Sequence, residues 1–357
     1  MSDDFVTRLG LQLQEAAERD MRRSAPSRAL RGQRWLTPAL AGAIALAVVV
    51  AAVAAATLWL RGDATPLPAQ PRVVATLHVT DNPVQIVDAF GSIWIADHIA
   101  GRILRLDPAT GAVQATIPVR TGNWLWITQV RDQLWASVDE LPLVQRIDPD
   151  TNRVVARTPV RTPDGRPFRV GYVWAAGDNV WAMSGIGAVR LDPASGRGLV
   201  VADAPRAVRG FELGDDTLWA PGLGDTLHRI DPRTGARRGS IPSGLPGTER
   251  IAAMEGALYA TRGAELARLD PATGAAVWTH TFAGRLNGIT QSRDLGWAHV
   301  TIDGQGDRLV SFDAATGRER STTRLETIGL SWLAARGDRV WMNTPGGATV
   351  VVGQATR

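Results

Sequence analysis

Side chains that could carry acid–base or metal chemistry are few in this 357-residue chain. It contains five histidines, which are His78, His98, His228, His280 and His299. No two of them stand in a short two-ligand spacing such as H-x-x-x-H, so they do not indicate a metal site. His98 directly follows Asp97, and this imidazole beside a carboxylate comes nearest to a general base with an orienting group. We favour the interpretation of His98 as a solvated loop residue.

The composition excludes several further classes of chemistry. The chain has no Cys, which rules out disulfides, thiol nucleophiles, iron–sulfur clusters and zinc–thiolate sites. All 39 basic residues are Arg, which rules out a Schiff-base lysine and a phosphate-loop lysine. Residues 1–36 carry seven Arg against five acids, so they hold +2 of the net charge of +4 and leave +2 for the rest. A nearly neutral remainder argues against a nucleic-acid partner, and we assign no catalytic residue, metal or cofactor.

A larger set of carboxylates, arginines and aromatic residues lies in predicted loops. It consists of Asp97, His98, Asn123, Trp124, Asp139, Glu140, Arg169, Asp225, Glu249, Arg250, Asp303 and Trp332. Such a mixture is compatible with binding a polar ligand or a protein segment. A charged loop residue is usually just solvated, so the set gains weight only if the fold brings these loops together.

Six near-copies of one turn motif indicate which fold that is. They begin at Asp107, Asp148, Asp192, Asp231, Asp270 and Asp313, and the first copy has the sequence DPATG. Their starts lie 41, 44, 39, 39 and 43 positions apart, which is the period of a four-stranded propeller blade. In such a turn Asp accepts hydrogen bonds from downstream amides, Pro presets φ and Gly or Asn takes the left-handed conformation. Each copy therefore predicts a strand, a turn and a second strand.

A repeated aromatic residue lies 11 to 16 positions before each turn, and one further copy follows the last turn. The seven are Trp94, Trp135, Trp181, Trp219, Tyr259, Trp297 and Trp341. Because no seventh turn follows Trp341, we predict that residues 72–79 supply the missing outermost strand. The predicted fold is all-β, a seven-bladed β-propeller closed by an N-terminal strand, and such closure removes exposed sheet edges.

The first repeat shows the predicted order of strands within a blade. From the inside of the ring to the outside, we predict strands at residues 84–89, 92–96, 102–106 and 112–119. Apolar residues on both sides of Trp94 predict a strand that is buried on both faces. We therefore interpret the seven aromatics as packing between blades and not as a recognition surface.

Loops of a propeller converge at one face, around the mouth of the central channel, and the candidate residues lie in the loops of that face. Residues 161–171 form the longest connection between blades and are a candidate lip of this face. The loop that holds Asp303 and Asp307 could ligate calcium. It lacks a dense carboxylate pattern, and we favour an ordinary polar turn.

The N-terminal region predicts a different environment. Residues 38–60 are uncharged and rich in Ala, Val and Leu, long enough to cross a bilayer core as one helix. The excess of Arg before this stretch places the N-terminus in the cytoplasm and the propeller outside. We predict a cytoplasmic tail (1–36), a transmembrane helix (37–60), a Pro-containing linker (61–71) and the propeller (72–357). A cleaved signal peptide is the alternative, but the apolar stretch is longer than such peptides use.

The cytoplasmic tail contains a predicted short amphipathic helix, because Phe5, Leu9 and Leu13 recur at intervals of four. This helix could bind a cytoplasmic protein or lie on the inner leaflet. A partly ordered tail that only sets the membrane orientation is an equal alternative.

A resemblance to known repeats supports the fold. Residues 92–97, 103–111 and 115–119 have the sequences SIWIAD, ILRLDPATG and ATIPV. This succession resembles the YVTN-type propeller repeat of bacterial surface and secreted proteins, and it is similar to repeats of virginiamycin B lyase-like proteins. The likeness spans roughly residues 72–352 and is specific for fold. The lyase resemblance implies a catalytic His and metal-binding acids at inner loops, and no His with flanking acids matches that pattern here.

Together these features predict a single-pass membrane protein with an extracytoplasmic propeller that binds a small molecule or protein without catalysis. The first alternative is an extracytoplasmic lyase or hydrolase that works at the channel mouth. The second is a membrane regulator that engages a cytoplasmic protein through its N-terminal tail.

Overall fold

The structure, a computed structural model, describes most of the chain from residue 71 to residue 353. Within that range it leaves out residues 123, 140, 177, 185–186, 203–211, 215, 223–224, 326–331, 345–346 and 348. The predicted tail and transmembrane helix, and all of the predicted linker except residue 71, lie outside the described residues. Within the described part of the chain, no helix is long and apolar enough to cross a membrane.

The described residues form 28 strands in seven antiparallel sheets of four. The strands of the first half are β1 (Arg72–Leu77), β2 (Pro83–Ala89), β3 (Ser92–Asp97), β4 (Arg102–Leu106), β5 (Val113–Pro118), β6 (Leu125–Val130), β7 (Gln133–Val138), β8 (Leu143–Asp148), β9 (Arg153–Pro159), β10 (Tyr172–Ala176), β11 (Asn179–Ser184), β12 (Gly187–Leu191), β13 (Gly198–Val201) and β14 (Glu212–Leu213). Those of the second half are β15 (Leu218–Pro221), β16 (Thr226–Ile230), β17 (Arg237–Pro242), β18 (Arg250–Met254), β19 (Ala257–Arg262), β20 (Glu265–Leu269), β21 (Ala276–Thr281), β22 (Arg285–Ser292), β23 (Leu295–Ile302), β24 (Gly306–Asp313), β25 (Glu319–Arg324), β26 (Leu333–Arg336), β27 (Arg339–Asn343) and β28 (Thr349–Gly353).

Six blades take four consecutive strands, so blade 1 is β2 to β5 and blade 6 is β22 to β25. The sheet of blade 7 has the order β1-β28-β27-β26 and thus joins the first strand to the last three. In this sheet Arg72 lies opposite Gly353 and Leu77 opposite Thr349. The strands of blade 1 agree with the predicted ones to within one residue at each end, and the seven-bladed β-propeller is confirmed.

The seven repeated aromatics are buried between blades, as predicted. Trp94 of blade 1 packs in one apolar cluster with Ile127 and Leu134 of blade 2. The same arrangement recurs around the ring, and Trp341 of blade 7 packs with Ile93 of blade 1. Each aromatic thus joins its own blade to the next one.

The repeated turns have the predicted chemistry. In the first copy, Asp107 Oδ1 accepts hydrogen bonds from the amides of Ala109 (2.8 Å) and Thr110 (2.9 Å). Gly111 has a φ of 74° and its amide donates to the Asp107 carbonyl at 2.8 Å. Donors from the turn lower the pKa of the Asp107 carboxyl below its usual value, with the Thr110 amide contributing most.

Antiparallel strand order divides the connections of each blade between two faces. The hairpins after the innermost strands and the repeated Asp turns lie on one face. The connections that leave the second strands, and those that enter the innermost strands, lie on the opposite face, which we call the loop face. Its described residues are 78–82, 98–101, 119–122, 124, 139, 141–142, 160–171, 202, 222, 225, 243–249, 263–264, 282–284, 303–305, 325, 332, 344 and 347.

We predict that β1 is required for cooperative unfolding of the ring. A chain that begins at residue 79 leaves β28 with an unpaired edge, whereas a chain that begins at residue 71 retains the pairing. Thermal unfolding of the shorter chain should become broad or occur at a clearly lower temperature. Equal and equally sharp transitions in the two chains would show that the pairing of β1 with β28 contributes nothing to ring stability.

We further predict that the turn carboxylates make the ring sensitive to acid. Arg320 and then Thr316 lower the pKa of Asp313 from 3.8 to about 2. The ionised Asp313 carboxylate therefore stabilises the fold fully above pH 3.8, and this stabilisation is lost as the pH falls towards about 2. Asp313→Ala and Asp313→Asn should both flatten the pH dependence of the free energy of unfolding over this range. At pH 7, Asp313→Ala should cost ~1 kcal/mol and Asp313→Asn less, because Asn keeps the acceptor. Equal costs for Ala and Asn would contradict this account.

Candidate functional site

Strand pairing places equivalent residues of the blades at the same depth along the channel. In each blade, one residue of the innermost strand lies opposite the repeated aromatic of the second strand, as Val87 lies opposite Trp94. The residue two places earlier points to the same side of the strand and lies nearer the loop face. In the described blades this earlier position holds Gln85, Trp126, Tyr172, Arg250, Gly288 and Trp332.

Three of these residues belong to a continuous group of aromatic rings. The group, which we call the aromatic cluster, consists of His98, Trp124, Trp126, Tyr172, Trp174 and Trp332. Trp126 is its centre, with ring-centroid distances of 4.7 Å to Trp332, 6.2 Å to Trp124 and 6.2 Å to Tyr172. The imidazole of His98 stacks on Trp124 at 5.6 Å.

The contact between Trp126 and Trp332 locates the cluster at the channel mouth. Trp126 is the second residue of the innermost strand of blade 2, and Trp332 directly precedes the innermost strand of blade 7. Blade 1 separates these two blades, so the contact passes the loop-face end of its innermost strand. The aromatic cluster therefore lies where the channel opens at the loop face.

Part of the aromatic cluster is open to solvent. Trp124 is 45% exposed and Trp332 39% exposed, and two further exposed apolar side chains, Ile99 and Leu141, lie on the same face. The other large apolar side chains that the structure shows as exposed are valines of outermost strands. Four of the exposed large apolar side chains of the described residues thus lie on the loop face, and exposed apolar side chains that group together often mark a binding site.

Backbone hydrogen bonds hold the exposed tryptophans in place. The carbonyl of Trp124 accepts from the Asp139 amide, and the carbonyl of Trp332 accepts from the Asn343 amide, both at 3.1 Å. Gln85 Oε1 accepts from the Ile127 amide at 2.5 Å, which ties blade 1 to the strand that carries Trp126. The backbone that carries these rings is therefore fixed, and the rings contact one another.

Asp97 and His98 do not form a base and its orienting group. The Asp97 carboxylate is buried and accepts from the Ala100 amide at 3.0 Å, from Arg102 Nε at 3.2 Å and from the Thr80 hydroxyl. These bonds fix the loop between β3 and β4. The His98 ring stacks on Trp124 instead.

The other candidate residues predicted from the sequence lie around the loop face. Asp225 has a structural role, because its Oδ1 accepts from the Gly247 amide at 2.6 Å and its carbonyl from the Ser243 amide at 2.7 Å. Arg250 is exposed and its Nη1 lies 3.4 Å from the Asn287 carbonyl, which accepts from it. Arg169, Glu249 and Asp303 are exposed, and Asp139 is half-buried. Asn123 and Glu140 lie outside the described residues. The structure therefore brings together His98, Trp124 and Trp332 from the predicted set.

The loop with Asp303 has the character of a polar turn. Asp307 is buried, accepts from the Thr301 hydroxyl at 2.6 Å and lies 3.3 Å from His299 Nε2. Asp303 is exposed. Among the residues that the structure describes, no three His, Asp or Glu side chains could jointly hold a metal ion.

Four residues of this region were not predicted from the sequence: Trp126, Tyr172, Trp174 and Glu212. Three of them belong to the patterns Trp124-x-Trp126 and Tyr172-x-Trp174, which begin innermost strands and place two rings on one side. Glu212 is the acidic residue at the start of the corresponding strand of blade 4. Aromatic or acidic residues at alternate positions of an inner strand were the available signal.

Among the described carboxyl groups with a shifted pKa, Glu212 is the one whose pKa is raised. Glu212 lies opposite Trp219, and its Oε1 accepts from the Ala253 amide at 3.4 Å. Although the residue retains some exposure, its carboxyl group is enclosed. This desolvation raises the pKa of Glu212 to about 8, against the opposing effects of the Ala253 amide and the Trp174 indole.

Comparison with known proteins gives one partial match. The family model described as outer membrane protein assembly factor BamB matches residues 262–356, which run from the end of β19 through blade 7. No curated protein matches the chain. The matched part includes Trp332, whereas the other rings of the aromatic cluster lie outside it. The match, together with the seven blades, supports a β-propeller repeat protein.

Proposed function

We propose that this protein is a binding module that holds its ligand on the aromatic cluster at the channel mouth. The observation that carries the proposal is the contact of Trp126 with Trp332 across blade 1, next to the exposed ring of Trp124. The partial match to a family of assembly factors supports a binding or scaffold role.

Tryptophan and tyrosine are suited to this role because they offer a large contact area at a low entropic cost. Residues of this type at the centre of an interface often contribute more than 2 kcal/mol each, roughly 30-fold in affinity. The rings of the aromatic cluster contact one another, and such contacts reduce the ordering that binding requires.

We favour binding over catalysis on the basis of the same geometry. The buried Asp97 carboxylate is engaged by Arg102, Thr80 and Ala100, and His98 stacks on an indole. This pair lacks the arrangement that general-base catalysis uses. The non-catalytic role is part of the proposal.

We also propose that the propeller is extracytoplasmic and anchored in the membrane by residues 37–60, with the N-terminus in the cytoplasm. The uncharged stretch at 38–60 and the Arg residues before it support this topology.

Removing either exposed tryptophan should weaken binding. Ligands are first selected on the purified protein from displayed peptides and from a panel of small molecules. Trp124→Ala and Trp332→Ala should each reduce the affinity for selected ligands about tenfold or more, since a central aromatic contact is lost. Val155→Ala and Val277→Ala, exposed on outermost strands, are controls and should leave the affinity unchanged. If both tryptophan variants fold and bind as tightly as the native protein, the ligand site lies elsewhere.

The topology predicts a defined outcome of proteolysis. Protease added to intact cells or spheroplasts should degrade the propeller and spare an epitope tag at the N-terminus. The same treatment after lysis should remove both, which checks that the tag is cleavable. Protection of the propeller in intact spheroplasts would reverse the proposed orientation.

A further inference from the structure

An enclosed carboxyl group lies at the inner end of the aromatic cluster. Trp174 of blade 3 lies opposite Trp181, and Glu212 of blade 4 lies opposite Trp219. The two residues thus occupy equivalent positions in adjacent blades, one step deeper in the channel than Tyr172. Trp174 contacts Tyr172 at 5.8 Å and also interacts with the Glu212 carboxyl group. The rings therefore lead from the exposed Trp124 to this carboxyl.

Among the described residues, the polar groups around Glu212 do not compensate a negative charge. Its one hydrogen bond within the described part of the chain comes from the Ala253 amide, at 3.4 Å, and the buried Nε1 of the neighbouring Trp174 indole has no hydrogen-bond partner there. Strand β14 packs against β10, β15 and β18, and the titratable or charged side chains of those strands are Tyr172 and Arg250. The Arg250 guanidinium donates to the Asn287 carbonyl of blade 6. Among the described residues, no charged group contributes to the perturbation of Glu212.

An enclosed carboxyl group of this kind favours a cationic partner. Because enclosure raises its pKa to about 8, the carboxyl group is mainly protonated at pH 7. A cation that enters the site would pair with the ionised form and displace the proton. The faces of Trp and Tyr rings attract the same cations, most strongly where water is excluded.

We propose that the channel mouth binds an alkylammonium group, with its alkyl surface against the aromatic cluster and its charge directed at Glu212. The proposal rests on the proposed function and adds the chemical class of the ligand. A free small cation and the side chain of a lysine in a peptide share this chemistry.

Titration calorimetry of the purified protein with choline tests the inference. At pH 7, in two buffers of different ionisation enthalpy, binding should release about one proton per site, and the affinity should rise several-fold between pH 6.5 and 8. The neutral isostere 3,3-dimethylbutan-1-ol should bind at least about tenfold more weakly at pH 8 and release no proton. Nα-acetyl-lysine amide, titrated in parallel, shows whether a peptide side chain is preferred to the free cation.

Glu212→Gln is the matched variant, because the amide oxygen can still accept from the Ala253 amide while the charge is removed. It should abolish proton release and the pH dependence, and reduce the affinity for choline to that for the isostere. Trp174→Leu should reduce the affinity for both choline and the isostere. Thermal unfolding of each variant checks that the ring is intact.

Several outcomes would overturn the cation proposal. These are equal binding of choline and the isostere, choline binding without proton release, native affinity in Glu212→Gln, or no binding of either cation at millimolar concentration. The proposed binding function has a separate test. It fails if Trp124→Ala and Trp332→Ala bind the ligands that were selected without regard to charge as tightly as the native protein does.

Discussion

Burial of one large aromatic side chain between each pair of neighbouring blades is the interaction on which the rest of this structure depends. Each of the seven rings removes about 150–250 Å² from water and packs against apolar residues of the next blade, as Trp94 does against Ile127. The ring closes in the same way, because Trp341 reaches Ile93 of blade 1. These contacts set the spacing and depth of the innermost strands, and hence where their other side chains meet.

The candidate site arises where the repeats differ. The compared position lies two residues before the inner-strand residue that is opposite the repeated aromatic. It holds Trp126, Tyr172 and Trp332 in three blades, but Gln85, Arg250 and Gly288 in three others. A ring of seven identical residues would offer seven equivalent weak contacts. Aromatic residues on blades 7, 2 and 3 instead make one side of the channel mouth distinct, which is what a single asymmetric ligand needs.

The carboxylates of the ring also differ in the partners that surround them. Carboxylates such as Asp107, Asp97 and Asp225 satisfy backbone amides or an arginine, and so stabilise turns and loops. Glu212 differs because its carboxyl group is enclosed beside an indole and receives one long hydrogen bond. Among the described residues, no charged group compensates this carboxyl, which is why we propose it as a binding position.

The sequence by itself determined the repeat, its period, the strand boundaries of the first blade and the burial of the seven aromatics. These features are local: an Asp turn bonds to its own amides, and an aromatic flanked by apolar residues is buried in any stacked blade. The sequence also indicated Trp124 and Trp332 as candidate site residues, from their places in converging loops. It did not separate the structural Asp97 and Asp225 from binding residues, because that depends on which amide or guanidinium lies beside each carboxylate.

Only the tertiary structure decided that Trp126 of blade 2 meets Trp332 of blade 7, some 200 residues later in the chain, and that the Glu212 carboxyl is enclosed. Closing the ring brings distant repeats together, and neither the distance across a channel nor the desolvation of a side chain is a property of local sequence.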